Sequence, residues 1–363
     1  MRIAQVAPLI ESVPPKHYGG TERIVAYLTE ELVRLGHEVT LFASGDSVTS
    51  AELVPVCRRS FRQNERAKDY LSREVLLMDH VMHSAGEFDV IHFHTGCLHY
   101  LISRYLTVPH VTTLHGRLDT PELLRLYERF RDMPMISISN DQRTPWPCAN
   151  WQATIYHGLP QDLFRFHPEP GSYLAFLGRV SPEKRVDRAI EIAKRVGMPL
   201  KIAAKVDRAD RRYFKRDIEP LLTQSHVEWV GEISDQQKNE FLGNAYALLF
   251  PIDWPEPFGL VMIEAMACGT PVIAYDRGSV PEVMENGVTG FIVSDIEQAA
   301  EAVGRVRDLS RARCREVFEK RFTASRMASD YINAFTRLAD SRMRRGEQSF
   351  ESSIRSFENA LAD

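Results

Sequence analysis

Two glutamates, Glu256 and Glu264, stand in the stretch Pro251-Ile-Asp-Trp-Pro-Glu-Pro-Phe-Gly-Leu-Val-Met-Ile-Glu-Ala-Met-Ala-Cys-Gly-Thr-Pro271. A strand ending at Phe250 and a proline-rich loop place Glu256 just ahead of a helix that should begin near Phe258. Glu264 then lies about two turns inside it, and Cys268-Gly269 reads as a glycine C-cap. The first backbone N–H groups of such a helix, at Phe258, Gly259 and Leu260, have no intrahelical partner and suit an anionic or hydroxyl-rich ligand. Glu264 sits in an otherwise apolar run, and a buried carboxylate needs a partner. Ligand binding is therefore the favoured reading of Glu264 over a solvated helix face.

A second constellation is Leu177-Gly-Arg-Val-Ser-Pro-Glu-Lys-Arg185. It reads as a strand running into a helix capped by Ser181, with Pro182 at the first helical position. Arg179 and Lys184 would project from that corner, and two cations beside a helix start can clamp a diphosphate. Basic residues at a helix start are by themselves usually solvated, so the pairing with Glu256 and Glu264 carries the weight. Gly19 and Gly20, in Lys16-His-Tyr-Gly-Gly-Thr-Glu22, would let backbone approach a phosphate closely, without the G-x-G-x-x-G spacing of a dinucleotide site. His115 ends the strand-like run Val111–His115 and should point toward the same site, although a histidine there is more often structural. His92, His94 and His99 have no acidic or cysteine partners at ligand spacing, so no metal is expected.

These residues need a scaffold that gathers strand ends. Short aliphatic runs alternate with longer helical patterns throughout the chain. Expected strands are 3–7, 38–43, 90–94, 111–115, 135–139 and 154–156 in the first half, and 173–177, 200–204, 227–230, 247–250, 272–275 and 291–293 in the second. Several are apolar on both faces, as in buried parallel sheets with helical crossovers. The Pro/Gly-rich stretch 166–171 divides the two series. The expectation is α/β, two Rossmann-like domains facing each other across a cleft, with ligands outside the carboxyl ends of the strands. The boundaries read as 1–168 for the first domain and 169–322 for the second, with a helix over about 323–363 crossing back to the first.

Composition narrows the function classes. The chain has 363 residues, 44% hydrophobic and 26% charged, with 45 basic and 49 acidic side chains giving −4. That length suits two domains, and the balance lacks the basic excess of a nucleic-acid binder. Neither a signal peptide nor a membrane span is expected. The five scattered cysteines argue against disulfides and zinc, and a cytoplasmic location follows as the expectation. Basic residues at Lys205–Arg216 and Arg342–Arg345 raise weak peripheral membrane contact as a possibility, but interleaved acids favour a solvated face.

Taken together, EPFGLVMIEAMACGTPVIA, GRVSPEK, YGGTE, GHEVTLFASGD, DVIHFHTG, TLHGRLD, ISISNDQR, IYHGLP and RGSVPEVMENGVTGFIV resemble family 4 of the glycosyltransferases, from Met1 to about Asp340. These are retaining enzymes of the GT-B architecture. The resemblance implies that Arg179 and Lys184 hold the donor diphosphate and stabilise the leaving group, and that Glu264 binds the ribose hydroxyls. It implies that Glu256 contacts the donor sugar, helped by the backbone of Phe258, Gly259 and Leu260, and that Gly19 and Gly20 close over the diphosphate. His115 would meet the sugar near the reacting carbon. Arg185 departs from the pattern, since the family often has glycine there, and the tail 341–363 runs beyond the usual end.

The implied reaction is transfer from a nucleoside-diphosphate sugar, UDP-sugar favoured, to a small-molecule, glycan or lipid-linked acceptor. Attack comes from the front side, the leaving diphosphate takes the acceptor's proton, and neither cofactor nor metal is needed. A sugar-nucleotide epimerase and a non-catalytic nucleotide-sugar binder are the alternatives. A glycosidase is disfavoured, because its two carboxyls must flank one bond. Base selection is expected near Val230-Gly-Glu232, and acceptor choice in loops at Lys16–Tyr18 and Arg117–Pro121. Neither the sugar, the acceptor nor the oligomeric state is legible.

Overall fold

The computed structural model describes residues 1–16, 19–64 and 69–340. The first sheet comprises β1 (Arg2–Val6), β2 (Glu38–Ser44), β3 (Glu52–Cys57), β4 (Val90–Phe93), β5 (His110–Thr113), β6 (Met135–Ser137) and β7 (Trp151–Thr154). The second comprises β8 (Tyr173–Arg179), β9 (Leu200–Lys205), β10 (Val227–Gly231), β11 (Ala245–Phe250), β12 (Val272–Tyr275) and β13 (Gly290–Val293). Strand order is β3-β2-β1-β4-β5-β6-β7 in one and β10-β9-β8-β11-β12-β13 in the other. Every pairing is parallel. Each sheet is doubly wound, and its order reverses between β1 and β4, or between β8 and β11, which is where such sheets open a ligand crevice.

The central strands form because their residues are apolar on both faces. Val90–Phe93 and Val272–Tyr275 are buried throughout. β3 was not among the expected strands: its Glu52-Leu-Val-Pro-Val-Cys57 has no fully buried position, as befits an edge strand, and a proline is tolerated there. The last strand of the first sheet lies at Trp151–Thr154, earlier than expected, and the apolar Ile155 that suggested a strand instead packs among Ile3, Val111 and Ile136.

The chain leaves the second sheet through the helix Arg311–Arg321, whose Val317 and Phe318 belong to the core around Met262 and Met266. It then turns at Phe322–Thr323, where the Leu159 N–H donates to the Phe322 carbonyl at 2.9 Å and the Ala324 N–H to the Leu159 carbonyl at 2.7 Å. The helical residues 324–340 follow, burying Met327, Tyr331 and Phe335 against Ile24, Leu28 and Val90 of the first domain. The rest of the expected crossing helix, 341–363, lies outside the described residues. No helix among the described residues is long and apolar enough to cross a membrane.

Two polar contacts brace the halves. Arg23 on the helix Gly20–Arg34 pairs with Asp235 of the opposite domain. Glu282 accepts the backbone N–H groups of Asn140 and Asp141 at 2.7 and 2.6 Å and the Tyr156 hydroxyl at 2.9 Å.

A candidate active site between the two sheets

A cleft of about 480 Å³ opens between the domains, lined by Gly19, Gly20, His115, Arg179, Lys184, Glu256, Phe258, Gly259, Leu260 and Glu264. The structure thus brings together all but one of the residues singled out from the sequence. The exception is Val230, which lies on the edge strand β10 and is 39% exposed. Gly231, with φ of 82°, turns the chain at the strand end, so that Glu232 and Ile233 form the cleft wall instead. His17 and Tyr18 of the expected acceptor loop lie outside the described residues.

The geometry follows from the switch points. β8 ends at Arg179, whose guanidinium lies 3.6–3.7 Å from the carboxylates of Glu183, Asp207 and Asp210. Burial raises the Asp210 pKa, and the nearby guanidinium opposes that rise. The expected Ser181-capped helix is instead a short 3-10 turn, Pro182–Lys184, followed by Arg185 in the left-handed region at φ 52°. The α-helix starts only at Val186. Arg185 is the one described non-glycine residue with positive φ, at the position where the resembled family often has glycine. Its guanidinium compensates locally by pairing with Asp187 at 2.7 Å and Asp253 at 3.0 Å.

That turn aims Lys184 at the loop after β11. Its ammonium pairs with Glu256 and lies 5.3 and 5.1 Å from the ring centres of Phe250 and Trp254. The Trp254 indole also donates to Glu256, at 3.0 Å. The loop is held from behind: the Ser279 N–H donates to the Glu256 carbonyl at 2.9 Å, and Gly278 has φ of 58°. A Cβ on Gly278 would stand 2.3 Å from the Glu256 backbone nitrogen, a contact no rotamer relieves. Gly278→Ala is therefore expected to cost about 2–4 kcal/mol from left-handed strain plus overpacking, and to displace Glu256. Thermal unfolding would check the cost; an unchanged melting temperature would contradict this account of the loop.

The helix begins at Leu260, two residues later than expected, because Gly259 takes a left-handed N-cap conformation at φ 79°. Glu264 lies buried on the helix with one oxygen 2.7 Å from the Lys238 ammonium. Lys238 in turn lies 3.4 Å from Asp235. Lys238 is the partner a buried Glu264 demanded, and sequence reasoning missed it. From the first domain, a Cβ on Gly20 would come within 3.7 Å of the Leu260 side chain, so the glycine loop closes directly over the helix start.

His115 lies opposite. Its imidazole stacks with His157 at 5.2 Å, and His157 packs edge-on against Phe258 at 4.8 Å. Burial pushes the His115 pKa down to about 3 and holds His157 well below its ordinary range. Both rings are therefore neutral near pH 7, and neither can act as a cationic acid. His157 was missed too: it stands in IYHGLP, which signals no chemistry by itself. Among the described residues, no group of three or more His, Cys, Asp or Glu is arranged to hold a metal ion.

Two facing, doubly wound parallel sheets with a charged cleft at their switch points define an enzyme fold of the GT-B class. The glycosyl transferases group 1 model matches residues 164–321, and the glycosyltransferase family 4 model matches residues 18–143. An alpha-maltose-1-phosphate synthase from Mycolicibacterium smegmatis is 27% identical over 85% of this chain and 92% of its own length. A phosphatidyl-myo-inositol mannosyltransferase from the same organism is 26% identical over 81% of each chain. Among solved structures, Anabaena HepE in complex with UDP and glucose shares the fold with a TM-score of 0.72 at 19% identity, over 93% of this chain and 99% of that one. AviGT4, involved in avilamycin A biosynthesis, likewise superposes with a TM-score of 0.72 at 21% identity, over 94% and 98%. The chain belongs to the group 1, family 4 glycosyltransferases and is a transferase.

Proposed function

We propose that the protein is a retaining transferase that moves a sugar from a nucleoside-diphosphate sugar, with a UDP-sugar favoured, to a hydroxyl-bearing acceptor. One observation carries this reading: Arg179, Lys184 and the start of the helix Leu260–Cys268 converge on one cleft, with Glu264 inside that helix and His115 on the facing domain. The cations and helix amides suit a diphosphate, and Glu264 suits the ribose hydroxyls. The UDP and UDP-glucose complexes of HepE support a nucleotide-sugar donor.

In this mechanism the anomeric C–O bond breaks and negative charge builds on the leaving diphosphate. Arg179, Lys184 and the amides of Phe258, Gly259 and Leu260 are preorganised to stabilise it. The acceptor oxygen bonds to the anomeric carbon from the face the diphosphate leaves, and its proton passes to a leaving phosphate oxygen. Glu256, held by Lys184 and Trp254, positions sugar hydroxyls and is not a nucleophile. The two side-chain cations supply the positive charge, so the reading requires no metal. It also places the enzyme in the cytoplasm. Of the basic stretch from Lys205, Lys205 itself lines the cleft, 3.2 Å from Asp207, while Arg216 is exposed and paired with Asp217 at 2.7 Å.

Calorimetry with UDP, GDP and ADP, with and without Mg²⁺, tests the reading. Metal-independent binding of one of them is expected and names the base. Glu264→Ala should weaken that binding by roughly 10- to 100-fold, the size of a hydrogen bond to a charged group. If no nucleotide binds, the proposal fails. Turnover of a nucleotide-sugar without any acceptor would instead favour an epimerase.

A further inference from the structure

Among the described residues, every cation lining the cleft is already paired. Arg23 meets Asp235, Arg62 meets Glu11 at 3.0 Å, and Lys184 meets Glu256. Lys205 meets Asp207 at 3.2 Å, and Lys238 meets Glu264 at 2.7 Å. Arg179 has three carboxylates, Glu183 and Asp207 at 3.7 Å and Asp210 at 3.6 Å. Where a diphosphate would sit, Glu183, Asp207, Asp210 and Glu256 therefore outnumber Arg179, Lys184 and Lys205. A clamp built only to hold an anion needs no such surplus.

The surplus comes from the loop after β9. Arg179 and Lys205 are register partners at the ends of β8 and β9, so the two cations leave the sheet side by side. Asp207 then opens the 3-10 turn Arg208–Asp210, and the Asp210 N–H donates to the Asp207 carbonyl at 3.0 Å. Residues three apart on such a turn eclipse one another, and both carboxylates reach Arg179. None of the three acids comes within hydrogen-bond distance of the guanidinium, so its N–H groups stay available to a ligand. Asp210 Oδ2, the oxygen nearest Arg179, is buried with no hydrogen-bond partner, which leaves the Arg179 charge as its compensation. Arg179 and Lys205 line the cleft, whereas Glu183, Asp207 and Asp210 stand behind them. A ligand on the open side of Arg179 is thus out of contact with the acids and still within their field.

We infer that Asp207 and Asp210 are positioning residues that act through Arg179 as a charge counterweight, weakening the hold of the cleft on a diphosphate more as its charge rises. The substrate part rests on the transferase reading above, where the counterweight separates product from donor. A diphosphate esterified at both ends, as in a nucleotide-sugar, carries two negative charges. The spent nucleoside diphosphate has a free terminal phosphate whose second ionisation falls at about pH 6, so it carries about three at pH 8. The added charge meets the same carboxylates, and the product is released more readily than the donor. Discrimination of this kind comes from repelling the unwanted ligand, not from a new contact to the wanted one.

Calorimetry at pH 8 without metal tests this on the full chain and on Asp207→Asn and Asp210→Asn, each of which leaves two carboxylates to hold Arg179. The probes are pyrophosphate, the nucleoside diphosphate that the native chain binds, and the β-methyl ester of that nucleotide, which lacks the added charge. Both variants should bind pyrophosphate and the nucleoside diphosphate about tenfold more tightly, and the methyl ester by no more than about fivefold. A merely structural role has the opposite sign, since a loosened Arg179 binds less well. Unchanged or weaker binding in either folded variant overturns the inference, as does an equal gain for the methyl ester. Should one variant not fold, the other decides. Pyrophosphate bound by neither native nor variant chain also overturns it, because a clamp relieved of its counterweight should take the anion. Tighter pyrophosphate binding in the variants, with no nucleoside diphosphate bound by the native chain, would sink the transferase reading and leave the counterweight standing, so the two failures are distinct.

Discussion

Lys184→Ala is expected to lower kcat by about 10²- to 10³-fold while changing the nucleotide dissociation constant far less. The asymmetry follows from where charge develops. On the proposed reading, the ground-state diphosphate is shared among Arg179, Lys184 and the amides at the start of the helix Leu260–Cys268. As the glycosidic bond breaks, charge concentrates on the departing oxygen, and an ammonium fixed beside it gains most at that moment. Lys184 is fixed: its side chain is 17% exposed, paired with Glu256, and close to two aromatic rings. Lys184→Arg should restore little, because the planar guanidinium cannot occupy an ammonium's place between Phe250 and Trp254. Glu256 loses its ion pair in the alanine variant but keeps the Trp254 indole. The double variant with Glu256→Gln should therefore be less than additive, as expected of residues in direct contact. Steady-state kinetics together with calorimetry would settle it. A kcat within threefold of the native enzyme would remove Lys184 from the chemistry.

The site was legible where its members are close in sequence and at strand ends. Glu256, Gly259 and Glu264 fall on one loop and helix, and Arg179 and Lys184 on one strand exit. The two-sheet organisation was legible because strands such as Val90–Phe93 are apolar on both faces. What sequence could not supply was pairing set by packing between elements. Lys238 reaches Glu264 because the helix Asp235–Gly243 lies against the helix Leu260–Cys268, and nothing distinguishes it beforehand from other surface lysines. His157 is equally invisible, since it meets His115 and Phe258 only through packing between elements. Val230 was misplaced for a backbone reason, the left-handed Gly231 that swings the following residues into the cleft. The start of the helix after Arg185 was misread because Ser-Pro-Glu is also a good helix opening; Arg185 at φ 52° breaks it first.

Buried histidines make a stability prediction confined to one domain. His92, His94, His99, His115 and His157 are all held neutral, each primarily by burial. A histidine whose folded pKa lies below its unfolded value of about 6.5 costs nothing above that pH, where both states are neutral. As pH falls below about 6.5 the unfolded chain takes up protons that the folded chain refuses, and stability drops by up to about 1.4 kcal/mol per pH unit for each such histidine. For His115 the loss continues down toward its folded value of about 3. Glu22 and Glu74, whose pKa values are raised by burial, bind protons earlier in the folded state and offset part of the loss. Against a total of about 5–15 kcal/mol, several histidines acting together are decisive. Amide hydrogen exchange at pH 7.5, 6.5 and 5.5, corrected for intrinsic rates, should show protection of the first sheet falling through this window while β8–β13 hold. His99 offers an internal control away from the cleft: it stacks on Phe93 at 4.0 Å and bonds Ser103 at 2.8 Å and Thr112 at 3.0 Å. His99→Gln can keep polar contacts there without titrating, so it should flatten the decline by one histidine's share even if it lowers stability at pH 7.5. A first sheet equally protected at pH 7.5 and 5.5 would mean that these rings accept protons in place.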